Sequence, residues 1–292
     1  MIVKAAASEA DAVCIDLEDA VAPDAKEASR ANVIRALVEL DFGRKTKGYR
    51  INALDTSFAY RDIIEVVETA GARVDVIVVP KVDRPDDLRF VATLLSQIEA
   101  RSRLSHVIGL EALIETAMGA LNAAAIAQAT PRLEGFIYGS GDYAASMRMP
   151  MASIGEADEH DEFYPGHRWH HVMHTIVTAA RAHGLRAIDG PFAAFRDSTG
   201  LERASRIGRA MGFDGKWCIH PAQVATANRV YAPAPADVAH ATRVLAAVAD
   251  SEARGDQRAR LGPGLDHQHR QRQRGDDAVA AREVVRQRRR AR

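Results

Sequence analysis

The chain has 292 residues, 47% of them hydrophobic, and its 39 basic and 39 acidic residues leave no formal net charge. That length and apolar content supply a core large enough for one barrel-sized domain with an appendage, while the neutral balance excludes a global field drawing the protein to nucleic acid or a membrane surface. No apolar run approaches the ~18–20 residues of a transmembrane helix, and MIVKAAASEADA lacks the apolar stretch and small-residue cleavage site of a secretory signal, so the expected compartment is cytoplasmic.

In chain order, MIVKAAASEA reads as a short helix entering AVCIDLED (12–19), the first of seven strand-like runs. The others are YRINAL (49–54), VDVIVVPKV (74–82), HVIGLEALIE (106–115), LEGFIYGSGD (133–142), LRAIDGPF (185–192) and KWCIHP (216–221). Between them, DAKEASRANVIRALVEL, TSFAYRDIIEVVETAG and RPDDLRFVATLLSQIEAR carry apolar residues at i, i+3, i+4 and i+7, the helical period. Runs that are apolar almost throughout are covered on both faces, the habit of parallel strands separated by helices. No G-x-G-x-x-G follows any strand, as a dinucleotide-binding open sheet would require. Nearly every run instead ends in polar residues: Asp16, Glu18 and Asp19; Arg50 and Asn52; Lys81; Glu115; Asp142; Asp189; His220. A barrel gathers such ends into one ring, where barrel enzymes keep their chemistry. The expected fold is therefore α/β, a (β/α)8 TIM barrel, and seven units against the eight of a closed barrel imply either a first strand missing ahead of residue 1 or a barrel closed by some other means.

The barrel is expected over 1–231 and an amphipathic C-terminal helix over 232–254. From 255 to 292 the chain turns to Arg, Gln and His with too little apolar content for a core, so this basic tail is expected to be disordered. The tail lacks the interleaved aromatics of a nucleic-acid-binding arm, and its composition is that of GC-rich coding DNA read out of frame. Cys14 and Cys218 lie in apolar runs without C-x-x-C spacing and read as buried reduced thiols. His170 and His174 share one face of the HRWHHVMH helix and read as surface histidines on the outside of the barrel.

Glu115 and Asp142 end two successive strand-like runs, which puts two carboxylates side by side at the mouth. Such a pair repels unless it shares a proton or a divalent cation, and Mg2+ takes one or two carboxylates while keeping positions for water and substrate oxygens. The competing reading is that both acids cap the helices that follow. Gly139 and Gly141 let backbone and substrate approach closely. Arg50, in RINAL, has the rigid fork that suits an acidic substrate or an oxyanion, and it equally suits structural pairing with the carboxylates of DLED. His220 reads either as a loop-ordering or as a catalytic residue.

DAVCIDLEDAVAPDAK (11–26), RINALDT (50–56), VPKV (79–82), ALIETAMG (112–119), IYGSGDYAAS (137–146), YPGHRWHH (164–171), AIDGPF (187–192) and FDGKWCIHPAQV (213–224) together resemble the HpcH/HpaI aldolase and citrate lyase beta-subunit superfamily. They are most similar to its malyl-CoA and β-methylmalyl-CoA lyase branch. The resemblance implies a Mg2+-dependent barrel, with Mn2+ as a substitute, assembled as a homotrimer or hexamer. It implies a carbon–carbon lyase that cleaves a malyl-CoA-type 3-hydroxyacyl-CoA to glyoxylate and acetyl-CoA or propionyl-CoA by a reversible Claisen-type reaction. An acyl-CoA and a glyoxylate-type oxo acid are then the partners, with no nucleic acid and no membrane.

By the same resemblance, Glu115 and Asp142 are metal ligands, Arg50 and Glu18 are catalytic, and Arg50, Asp16, Lys81, Gly141 and Asp189 bind substrate. A malyl-CoA thioesterase, a citryl-CoA lyase-like enzyme and a catalytically impaired metal- or CoA-binding homologue are the alternatives. Three departures from the family pattern stand out. The chain begins just after the strand and V-P-G loop that help hold CoA, and PGHRWHH carries His167 in place of an acid. LGPGLDHQHRQ stands where a segment like L-D-G-K-M-I-D supplies a catalytic aspartate, which leaves Asp266 near the right place in a different context.

Overall fold

The computed structural model describes residues 1–163 and 167–253. The expectations for the 255–292 tail, its reading frame and Asp266, and for the YPG of YPGHRWHH, lie outside the described residues. Met1–Tyr231 forms one compact unit, and a second begins at Ala232. In the first unit, strands β1 (Ala12–Asp16), β2 (Thr46–Arg50), β3 (Val76–Val79), β4 (Gly109–Ile114), β5 (Leu133–Tyr138), β6 (Arg186–Asp189) and β7 (Gly215–Lys216) form one sheet in sequential order. Every neighbouring pair is parallel. The helices are α1 (Ile2–Ala6), α2 (Lys26–Glu39), α3 (Ala59–Ala70), α4 (Pro85–Ser102), α5 (Ala117–Leu121), α6 (Ala123–Ile126), α7 (Ser140–Ser146), α8 (His170–Ala182), α9 (Ser198–Ala210) and α10 (Val224–Tyr231), with α11 (Pro235–Ala253) in the second unit.

The two faces of the sheet pack differently. Outward, Ile15, Tyr49, Ile77, Val79, Leu110, Phe136 and Ala187 join helix residues such as Val33, Leu37, Ile63, Val66, Leu88, Leu95 and Ile176 in the main core. Helix α3 shows why: it buries Ile63, Val66, Val67 and Ala70, which recur at helical spacing. Inward, Val78, Leu113 and Ile137 form a small cluster, and Cys14 of β1, Ile188 of β6 and Trp217 just after β7 all pack on it. Strands lie ~4.8 Å apart, so a flat sheet would hold β1 and β7 almost ~30 Å from each other. Packing from both ends onto one central cluster fits a sheet that curls, as does the contact between its two ends. β1 and β7 are not hydrogen-bonded to each other among the described residues, but Asn228 Nδ2 of α10 donates to the Glu9 carbonyl at 2.9 Å and ties the two ends together.

Three runs differ most from the sequence reading. β2 occupies Thr46–Arg50, earlier than the YRINAL run, the SGD expected to end β5 opens α7, and of the KWCIHP run only Lys216 belongs to β7, which is Gly215–Lys216. Both cysteines are free thiols of intermediate burial, and His170 and His174 are exposed at the start of α8 with rings 4.4 Å apart. No described helix is long and apolar enough to cross a membrane.

A buried polar network fixes the end of β2. Asp62 of α3 is fully buried. Its Oδ1 accepts from Arg30 Nε of α2 at 2.9 Å, and its Oδ2 accepts from the Asn52 amide at 2.9 Å and from Asn52 Nδ2 at 2.6 Å. The Tyr49 hydroxyl donates to the Asp62 carbonyl at 3.1 Å. One carboxylate thus joins two helices to the turn that carries the chain out of β2. Asp62→Ala leaves the buried Asn52 donors without their acceptor and Arg30 with Glu65 alone, 2.9 Å from its Nη1, so urea unfolding is expected to show a loss of ~1–3 kcal/mol. A loss under ~1 kcal/mol would mean that the network does not hold this corner.

Candidate active site

All seven strands run the same way, so their carboxyl ends meet at one edge of the curled sheet. Register places Arg50 of β2 directly beside Asp16 of β1. From there Arg50 Nε and Nη2 fork onto Asp16 Oδ1 and Oδ2 at 2.7 and 2.6 Å. Nη1 donates to Asp19 Oδ2 at 3.0 Å. Three of the five N–H groups a guanidinium carries are therefore engaged by the DLED segment. Asp16 is itself fixed, since the amides of Glu18 and Ala20 donate to its two oxygens at 2.9 and 3.0 Å. Burial alone would raise the Asp16 carboxyl, but the Arg50 fork and these amides outweigh it and hold it below the usual carboxylate range.

Lys81 links this pair to the next strands. Its ammonium lies 2.5 Å from Glu18 Oε1 and 3.7 Å from Asp142 Oδ2, and its backbone amide donates to Glu115 Oε1 at 2.9 Å. Glu18 Oε2 sits 2.8 Å from Arg50 Nη1, an ion-pair contact that lacks hydrogen-bond alignment. Glu115 follows β4 and is almost completely buried. Beside it, just past the end of β5, Gly139 has no room for a side chain, because a Cβ there would lie 2.4 Å from Glu115 Cβ and 2.5 Å from its Oε2. Burial, reinforced by the charges of Asp142 and Glu18, pushes the Glu115 carboxyl up to about 8 against the pull of Lys81. Burial likewise raises Glu18, despite Arg50 and Lys81.

The capping alternative fails for Glu115: Thr116 caps α5, its Oγ1 accepting from the Gly119 amide at 2.8 Å. Asp142 stands in the first turn of α7 with its side chain 42% exposed, and no side-chain cap bond closes that helix start. Five carboxylates, Asp16, Glu18, Asp19, Glu115 and Asp142, thus surround the two cations Arg50 and Lys81. Among the described residues no three His, Cys, Asp or Glu side chains form a ready metal cage. Two carboxylates with open positions are what a hard cation keeping water and substrate oxygens would use.

Residues 1–221 match the HpcH/HpaI aldolase/citrate lyase family. The chain belongs to that family. It is 42% identical over 261 residues to an L-malyl-CoA/beta-methylmalyl-CoA lyase of Cereibacter sphaeroides, covering 87% of this chain and 81% of the relative. A (3S)-malyl-CoA thioesterase of the same species is 39% identical, with 86% of this chain and 80% of the relative covered. Among solved structures, the protein CitE of Mycobacterium tuberculosis in complex with magnesium, acetoacetate and coenzyme A has a TM-score of 0.64 and 31% identity, covering 85% of this chain and 80% of that one.

Not every expected residue of this family member gathers at the mouth. Gly141 lies in the first turn of α7, where a Cβ would approach Ile154 Cδ1 to 3.1 Å, so its neighbour is the 150–163 segment. Asp16 meets Arg50 rather than open space. Asp189, expected among the substrate-binding residues, projects to the opposite face of the sheet. There its neighbour Ala187 joins the main core, and Asp189 Oδ2 accepts from Lys216 Nζ at 2.7 Å in a pair nearly closed to solvent. Strand alternation is the reason, since Ile188 takes the inner position. His220 orders its loop: Nδ1 accepts from the Ala222 amide at 3.1 Å and the ring stacks on Phe195 at 4.6 Å.

Two features of this site escape a reading of the sequence. Lys26 Nζ donates to the carbonyls of Leu17 and Glu18 at 3.0 and 2.6 Å and pins the DLED turn from behind. Lys26 opens α2, where the helix dipole disfavours a cation, and that misfit is the available signal. Lys81 is among the expected residues, but nothing local announces its backbone, which takes the left-handed conformation at φ 49.

The raised Glu115 carboxyl has a sign that can be checked in metal-free protein. A carboxyl whose folded value rises to about 8 from 4.5 binds a proton on folding, so its contribution is complete below the lower value and is lost as pH climbs through the upper one. In chelator, the melting temperature is expected to fall between pH 5 and pH 9, and Glu115→Gln to flatten that fall. An unchanged slope in the variant would refute the assignment.

Proposed function

We propose that the chain is a Mg2+-dependent carbon–carbon lyase that cleaves a malyl-CoA-type 3-hydroxyacyl-CoA to glyoxylate and acetyl-CoA or propionyl-CoA, and runs the condensation in reverse. The observation that carries this reading is the charge imbalance at the mouth, where five carboxylates meet two side-chain cations. A divalent cation between Glu115 and Asp142 relieves that imbalance, with Mn2+ able to substitute. The 42% identical lyase supports the reaction, and the solved relative holding magnesium, acetoacetate and coenzyme A supports the cation and both partners. We take 1–231 as the catalytic unit of (β/α)8 type, and a cytoplasmic homotrimer or hexamer as its working form.

When bound, Mg2+ supplies positive charge for the substrate's carboxylate and 3-oxygen. Cleavage removes the proton of the 3-hydroxyl, breaks the C2–C3 bond and sends the bonding pair toward the thioester carbonyl. A proton delivered to C2 then completes the released acyl-CoA. Arg50 balances the charge that develops on the thioester oxygen. Asp16 acts through Arg50, holding the plane of the guanidinium, and Glu18 acts through both Arg50 and Lys81. Lys26 keeps the carbonyls of that turn in place. A second reading, hydrolysis of the malyl-CoA thioester, is favoured by the 39% identical thioesterase.

Malyl-CoA incubated with the protein and Mg2+ is expected to yield glyoxylate and acetyl-CoA in equal amounts. Free CoA without glyoxylate assigns the thioesterase, and neither product assigns the impaired homologue. In calorimetric titration, Glu115→Gln and Asp142→Asn should each weaken magnesium binding by at least about tenfold, because each removes one of two protein ligands. Wild-type affinity in both variants would remove the metal from this place.

A further inference from the structure

Lys81 touches three of the five carboxylates of the site, Glu115, Glu18 and Asp142. Its amide holds Glu115, its ammonium holds Glu18 closely, and the same ammonium reaches Asp142 loosely. The two ends of that ion pair are unequal in burial as well as distance. The Glu18 side chain is 7% exposed and lies 2.5 Å from Nζ, while that of Asp142 is 42% exposed and lies at 3.7 Å. The backbone is a second, independent sign. Lys81 takes φ 49, a region that residues with a Cβ rarely adopt and that persists where the surroundings over-determine it. Here the determinants are visible: the amide must point at Glu115 while the side chain turns toward Glu18.

We propose that Lys81 is the resident counter-ion of the acidic site, holding Glu18 and Asp142 together until a divalent cation entering between Glu115 and Asp142 takes over Asp142. Binding is then an exchange: the ammonium gives up its loose contact and keeps its close one. Lys81 is a positioning residue in this scheme, because its amide already aims Glu115 and its charge keeps three acids from repelling one another before the metal arrives. The proposal rests on the metal reading given above and adds an opposing charge to it. A cation that must displace or tolerate a neighbouring ammonium binds more weakly than it would without one.

The test uses the full chain and two neutral variants. Lys81→Met removes the charge and keeps the stem. Lys81→Gly removes the charge, keeps the amide donated to Glu115 and relieves the left-handed backbone, so it serves if the methionine variant does not fold. Titration calorimetry with Mn2+ and with Mg2+, in the absence of substrate, should show either neutral variant binding roughly tenfold more tightly than wild type, the scale set by a unit charge a few ångströms away at a partly exposed site. Lys81→Arg should return the affinity toward wild type. In chelator the neutral variants should melt lower than wild type, with Lys81→Gly recovering part of the loss, and metal should raise their melting temperature by more than it raises that of wild type. Equal or weaker metal binding in a folded neutral variant overturns the counter-ion role and leaves the metal site standing. No binding by wild type overturns the metal site, and the exchange falls with it.

Discussion

Two cations stand among five carboxylates at one edge of the sheet, and the local structure around them follows from that crowding. Like charges ~4 Å apart repel by ~1–4 kcal/mol each, depending on how far water screens them. The chain answers with bonds that leave little freedom. Arg50 is clamped by both oxygens of Asp16, Asp16 by two amides, and Glu18 by Lys81 at the side chain and Lys26 at the carbonyl. Behind the mouth, the Asp62 carboxylate anchors the turn after β2 with three hydrogen bonds. A site with this much fixed negative charge is organised for a cation before any arrives.

Strand alternation decides which acids take part. Asp16, Arg50 and Glu115 occupy inner positions, so the curl of the sheet turns them toward one another. Asp189 ends its strand at an outer position and makes a lysine pair of ordinary structural kind, packed against Gly208 of α9, where a Cβ would come within 2.6 Å of Asp189 Oδ2. The Arg50–Asp16 and Lys216–Asp189 pairs have similar chemistry and stand at opposite ends of the strand order. One faces the mouth and the other is sealed by helices, and a shift of one residue along β6 would turn Asp189 to the inner face.

The sequence by itself determined the α/β class and the seven strands, because nearly continuous apolar runs between helical periods allow few other arrangements, while the family rested on motifs such as RINALDT, ALIETAMG and IYGSGDYAAS. It also brought Glu18, Arg50, Lys81, Glu115 and Asp142 forward as polar residues ending apolar runs, a signal it shares with Asp189 and His220, which the fold uses structurally. What it did not determine were boundaries and faces. TKGYR carries no apolar signature, because its inner position is Gly48, whose missing side chain makes room for Val76: a Cβ there would stand only 2.6 Å from the valine Cγ1 and carbonyl oxygen. The SGD turn changes from strand to helix at Gly139, where the space a side chain would need is filled by Glu115 from the neighbouring strand. The pairing of Arg50 with DLED was one of two readings the sequence left open; the choice between them, the left-handed turn at Lys81 and the outward face of Asp189 were decided by the tertiary structure. Each depends on register and curl between segments distant in the chain, and such contacts leave no local pattern to read.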